Sequence, residues 1–108
     1  MSEKSFESSN NSLEASVMPI AAEMRSIVLE AAEPADPGER INALILRASR
    51  RLQLGYSRTR AYFYQQVRLV PAQEADRLRA VRQAMRRERL ARLDAEAALI
   101  RAQLKGIS

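Results

Sequence analysis

Apolar residues recur along the chain at spacings of three and four, and the places where that period breaks divide it into helices. Leu13, Val17, Ile20, Met24, Ile27, Val28 and Ala31 form one stripe. Pro19 falls inside it, where a proline removes a backbone hydrogen bond and clashes with the preceding turn. The ordered helix is therefore expected to begin near Val17 or Met18, with Pro19 in its first turn, and to end near Glu33. Ser12 is available as a cap for any earlier start, but residues 1–12, MSEKSFESSNNS, are too polar to bury anything and read as a disordered tail.

Glu33-Pro34-Ala35-Asp36-Pro37-Gly38 is a connector. Asp36 has the makings of an N-cap, Pro37 of a first helical residue, and Glu39 lies three positions after the cap, as in a capping box. A second helix is expected from Pro37, burying Ile41, Leu44, Ile45, Ala48 and Leu52, with Arg40, Arg47, Arg50 and Arg51 turned mostly outward. Leu54-Gly55-Tyr56 interrupts the period, with Gly55 supplying backbone freedom for a helix ending and Ser57 an N-cap for a third helix through Val67. Tyr62, Phe63 and Tyr64 fan over about 200° of that helix, so at least one of them must lie at the surface.

The period breaks again at Val67-Arg68-Leu69-Val70 because the residue before Pro71 avoids helical backbone. From Ala72 to Lys105 there is no glycine or proline, which predicts a rod of roughly 50 Å, with Gly106 as a stop. Its apolar stripe has two parts. Leu78, Val81 and Met85 form the first, and Leu90, Leu93, Ala97, Ile100 and Leu104 the second, separated by Arg86-Arg87-Glu88-Arg89. The first is expected to pack on the chain's own helices and the second on a partner, as a short coiled-coil seam. A helix folded back into a hairpin is the alternative, although no glycine marks its midpoint.

Composition supports a single all-α domain: 108 residues, 46% hydrophobic and 29% charged, with Ala, Leu, Arg and Glu dominant. The expected organisation is a tail (1–12), a helical domain (13–85) with a two-helix motif at about 39–68, and a C-terminal association helix (86–108). The chain has no Cys and no His, which removes thiol catalysis, most transition-metal sites and the usual general base. No paired carboxylates or phosphate-cradling glycine loop takes their place, so neither an enzyme nor a cofactor is expected. With no long apolar run and no signal sequence, a cytoplasmic protein that does not contact membrane is expected.

The net charge of +5 hides a division. Residues 1–39 hold two basic and eight acidic side chains, net −6, whereas residues 40–108 hold sixteen basic and five acidic, net +11. All but one of those sixteen are arginine, whose planar fork suits phosphate and guanine edges.

The excess begins where ASRRLQLGYSRTRAYFYQQVR occurs, residues 48–68. Within it, L-x-L-G-Y-S-R-T-R-A-Y-F-Y resembles the turn and second helix of bacterial helix-turn-helix DNA-binding proteins, among them small prophage and mobile-element transcription regulators. It is more weakly similar to the start of the MerR family, without its wing. The resemblance implies a transcription regulator that binds double-stranded DNA; joined through the seam of its last helix it is expected to be a homodimer of the bacterial nucleoid that reads an inverted repeat, with no small-molecule effector evident. In that register Ala61 and Tyr64 face the core and Arg58, Thr59, Tyr62 and Gln66 contact bases, Arg58 at guanine and Gln66 at adenine. Arg50, Arg51, Arg60 and Arg68 contact phosphates, and Leu90, Leu93, Ala97, Ile100 and Leu104 hold the dimer. Two other classes would use the same surfaces: an adaptor binding an acidic protein through its arginine-rich helices, and a DNA-bending accessory factor in recombination or packaging.

Overall fold

Four α-helices make up the computed structural model, which describes residues 18–107: α1 (Ile20–Ala31), α2 (Ile41–Leu52), α3 (Tyr56–Phe63) and α4 (Ala72–Ile107). There is no strand among the described residues. The expected tail, the Ser12 cap, Leu13 and Val17 lie outside them.

Pro19 stands just before α1, with φ −54° and ψ 142°, and its carbonyl accepts the Glu23 N–H at 2.9 Å. The fixed φ of proline suits this position, so the helix starts after the proline rather than around it. Its apolar side, Met24, Ile27, Val28 and Ala31, is fully buried, and α1 packs against each of the other three helices. Onto it close Ile45, Ala48 and Leu52 of α2, Tyr62 and Phe63 of α3, and Ala75 and Leu78 of α4.

Nothing in the sequence after Ala31 supplies the usual glycine cap, and arginines take over that work. Arg47 donates through Nη1 to the carbonyls of Ala32 (2.7 Å) and Pro34 (3.1 Å). One turn along α2, Arg51 Nη1 donates to Ala31 O at 3.1 Å and to Glu33 O. The C-terminal carbonyls of a helix carry partial negative charge, so cationic donors there both satisfy orphan acceptors and oppose the dipole. The other two short helices end in the same way: Arg77 Nη1 reaches Leu52 O at 2.7 Å and Arg25 Nε reaches Phe63 O at 2.9 Å.

Several boundaries differ from the sequence expectation. The Asp36–Glu39 reciprocal bonds form, Asp36 N–H to Glu39 Oε1 at 3.1 Å and Glu39 N–H to Asp36 O at 3.0 Å. They close a turn rather than start a helix, because Gly38 takes φ +80° after Pro37, the proline-glycine signature of a type II turn. Helix α2 begins only at Ile41.

At its far end the left-handed residue is Gln53 (φ 52°, ψ 47°), with Leu54 N–H closing onto Ser49 O at 3.0 Å. Gly55 is ordinary extended backbone (φ −59°, ψ 151°) and is itself the N-cap residue of α3, which places Ser57 inside the helix. That helix stops at Phe63 rather than Val67, since Gln65 turns left-handed (φ 55°) and Gln66 N–H returns to Ala61 O at 2.8 Å.

Helix α4 is continuous for 36 residues, about 54 Å. The hairpin alternative therefore falls, and Gly106 lies within the helix instead of ending it. Leu78, Val81 and Met85 pack on the core as expected, whereas Leu90, Leu93, Ile100 and Leu104 are 52–61% exposed. Two ion pairs join α1 to α4, Glu23–Arg79 and Glu30–Arg86, and Glu33 just past α1 adds a third with Arg89, all at the same separation of 56 residues. A constant offset over successive turns means that the two helices run parallel, in one direction and in step.

Candidate nucleic-acid interface

The inner face of α3 is made by Thr59, Tyr62 and Phe63, all buried. Thr59 Oγ1 donates to Gly55 O at 2.9 Å and leaves no surface to the outside. The Tyr62 hydroxyl donates to Glu74 on α4, and the Arg58 guanidinium lies 5.1 Å from the Tyr62 ring centre while its Nε donates to Glu74 Oε1 at 2.9 Å. Burial, aided by the Glu74 carboxylate, pushes the Tyr62 phenol up to about 12. At Glu74 burial acts upward, but the hydrogen bonds from Tyr62 and Arg58 outweigh it and hold the carboxyl below its ordinary value. This cluster locks α3 to α4.

The expected reading face is thereby corrected. Thr59 and Tyr62 point inward and Tyr64 outward, the reverse of the register implied by the helix-turn-helix resemblance, because α3 begins at Tyr56 and turns its 59–62–63 side to α1. Arg58 is at the edge, partly exposed and already engaged by Glu74. Gln66 is exposed but lies beyond the helix end. The outward face consists instead of Tyr56, Ser57, Arg60 and Tyr64, with the Arg60 guanidinium 5.0 Å from the Tyr64 ring centre. Proline and glycine positions gave no sign of this register; the one available signal was that Tyr62 and Phe63 stand three and four residues after Thr59, the spacing of one helix face.

The arginines fall into two groups. Arg25, Arg51 and Arg77 hold carbonyls, Arg47 holds both carbonyls and the Glu39 carboxylate, and Arg58, Arg79, Arg82, Arg86 and Arg89 hold carboxylates. Of the four residues expected at phosphates, Arg51 belongs to this engaged group. Arg50, Arg60 and Arg68 are exposed, and their side chains make no hydrogen bond or ion pair to other described residues; nor do those of Arg40, Arg87, Arg92 and Arg101.

An open cleft of about 590 Å³ lies between the C-terminal end of α1 and the middle of α4, lined by both signs of charge, among them Glu30, Glu33, Arg51, Glu88 and Arg92, with Met85. Among the described residues no group of three acidic side chains could hold a metal ion, and no helix is long and apolar enough to cross a membrane.

No family model, curated protein or solved structure matches the chain.

Proposed function

We propose that the chain is a double-stranded DNA-binding protein that acts as a homodimer, a transcriptional regulator of the cytoplasmic nucleoid, presenting the outer face of α3 to the major groove. The observation that carries this reading is the division of the arginines. Arginines that reach the domain's own helices are engaged by carboxylates or helix-end carbonyls, whereas Arg60 on the outer side of α3, Arg50 on α2 and Arg68 after α3 make no side-chain ion pair to other described residues, and neither do Arg40, Arg87, Arg92 and Arg101 elsewhere. An unneutralised cationic face with aromatic rings is suited to phosphates and base edges.

The tri-helical arrangement, α1 across α2 and α3 with a three-residue turn between them, supports the same reading. Ser57, Arg60 and Tyr64 are then the base-edge candidates, with Arg50 and Arg68 on phosphates. The distal apolar face of α4 supplies the dimer contact through Leu90, Leu93, Ala97, Ile100 and Leu104.

A salt series on random duplex tests the reading. Each neutralised phosphate contributes about −0.9 to the slope of log affinity against log salt, so three arginines per protomer imply a slope of roughly −3 to −5 for a dimer in which not all of them engage. A slope near zero, with binding to an acidic polypeptide instead, would assign the protein to the adaptor class.

A further inference from the structure

Resting on the homodimer proposed above, we infer that the distal half of α4 joins a second copy of this chain as a parallel two-stranded coiled coil, with both helical domains at the same end. Leu90, Leu93, Ala97, Ile100, Leu104 and Ile107 alternate steps of three and four, the a and d positions of a heptad that begins at Leu90. Five of the six are between 52% and 80% exposed. None of α1 to α3 covers Leu90, Leu93, Ile100 or Ile107. Met85 is the last residue seated on the core, and the five positions to Leu90 rotate the seam by about 140° away from the face that α1 occupies. Since α4 is unbroken, it does not fold over its own seam either.

The charges beside the seam select the direction. In this register Arg89 and Glu96 are g positions, while Asp94 and Arg101 are e positions. A parallel pair sets each g residue beside the e residue five places further along the other helix. Arg89 then meets the second copy's Asp94, and Glu96 meets its Arg101, so that each kind of pair forms on both sides of the dimer and every contact is between opposite charges. An antiparallel pair with the seams superposed sets e against e and g against g. Asp94 would still meet Arg101, but Glu96 would face Gln103 and Arg89 would lie beyond the overlap.

The side chains of Asp94, Glu96 and Arg101 make no ion pair or hydrogen bond to other described residues, and that of Arg89 has only Glu33, at 3.4 Å with both side chains more than half exposed. The parallel arrangement supplies the missing partners. It also brings the two α3 helices to one end, as paired half-sites on DNA require.

The chain contains no cysteine, so a single introduced one reports on its neighbour. In the full-length protein, Leu93→Cys and Ile107→Cys are made separately and oxidised. Each should convert to a covalent dimer whose sedimentation matches that of the parent, because in a parallel pair every d residue faces its own counterpart. An antiparallel pair would hold the two copies of residue 93 about 16 Å apart along the axis and the two copies of residue 107 about 25 Å apart, so neither would cross-link.

Glu96→Arg should raise the dimer dissociation constant by about tenfold, since two attractive contacts become repulsive, and adding Arg101→Glu should restore it. Restoration shows that the single variant was folded. A parent chain that sediments as a monomer at tens of micromolar, cysteine variants that do not cross-link, or a tetramer would each overturn the inference. Duplex binding by a monomer would leave the DNA reading standing without this one, and a cross-linked dimer indifferent to DNA would do the reverse.

Discussion

Glu30 on α1 and Arg86 on α4 meet as two parallel hydrogen bonds, Nε and Nη2 each 2.8 Å from a separate carboxylate oxygen. Two helical turns earlier Arg79 and Glu23 repeat the arrangement at 2.7 and 2.8 Å. Such pairs need the fixed fork of arginine, which explains why lysine does not occupy these positions. Exposed ion pairs contribute little stability each, so their main effect is on register: they hold α4 parallel to α1 and in step with it. Glu23, Glu30 and Glu33 thereby answer four arginines of α4, Arg79, Arg82, Arg86 and Arg89.

Stability should fall at both extremes of pH. The Arg79 hydrogen bond, working against burial, holds the Glu23 carboxyl below its ordinary 4.5, and Glu39 and Glu74 are lowered as well. A lowered carboxylate stabilises the fold above its unfolded value, and that contribution is lost as pH drops through the folded value. Melting temperature should therefore decline as pH goes below 4.5, and Glu23→Gln should flatten part of the decline. At the alkaline end, Tyr62 ionises at about 12 in the fold against 10.0 when unfolded, so stability is lost between those values. Tyr62→Phe should remove that step; an alkaline limb unchanged in the variant would point to another group.

Arg47→Ala should destabilise the domain although Arg47 is partly exposed. It releases the carbonyls of Ala32 and Pro34 at the end of α1, and hydrogen bonds from a charged donor are worth about 1.5–3 kcal/mol. Chemical denaturation measures the loss. Arg50→Ala, on the same helix but without a partner among the described residues, is the control and should change stability by less than about 0.5 kcal/mol.

Gly55, the most conspicuous residue of the motif, should tolerate alanine. Its φ is −59° and a Cβ there would meet nothing within 4 Å, so the gain through the unfolded chain is offset by the poorer N-cap that alanine makes, and Gly55→Ala should change stability by less than about 1 kcal/mol. The position that wants glycine is Gln53, left-handed at φ 52°, where Gln53→Gly should relieve strain of about 1 kcal/mol. Thermal melts of the two variants separate these roles: a large loss at Gly55→Ala would mean that close packing against the turn occurs after all.

Helix number, the core stripes of Met24, Ile27 and Val28 and of Leu78, Val81 and Met85, and the length of α4 were all legible in periodicity, because burial of one face imposes it. The reading face of α3 was not. Eight residues make barely two turns, and with Thr59, Tyr62, Phe63 and Tyr64 all amphipathic or aromatic, the inward side is decided by which residues meet α1 and Glu74, a contact distant in sequence. The Asp36-Pro37-Gly38 signal was misread for a related reason, since capping residues and turn residues are chemically the same and only the φ of Gly38 distinguishes them. Nor does composition reveal which arginines are engaged. Arg47 and Arg51 look like outward cations until the end of α1 is seen beside them.

One pair of titrations bears most directly on the DNA reading: Arg60→Ala and Arg58→Ala, each with random duplex across a salt series, alongside thermal melts. Arg60 is exposed, stacked on Tyr64 and without an acidic partner among the described residues, whereas Arg58 is held by Glu74. Arg60→Ala should weaken duplex binding and reduce the salt slope by about one unit per protomer while the melting temperature holds. Arg58→Ala should lower the melting temperature and leave the slope unchanged. The opposite assignment, with Arg58→Ala reducing the slope and Arg60→Ala silent, or no salt-dependent binding by the parent chain, would contradict the reading of the outer face of α3 as a DNA-binding surface.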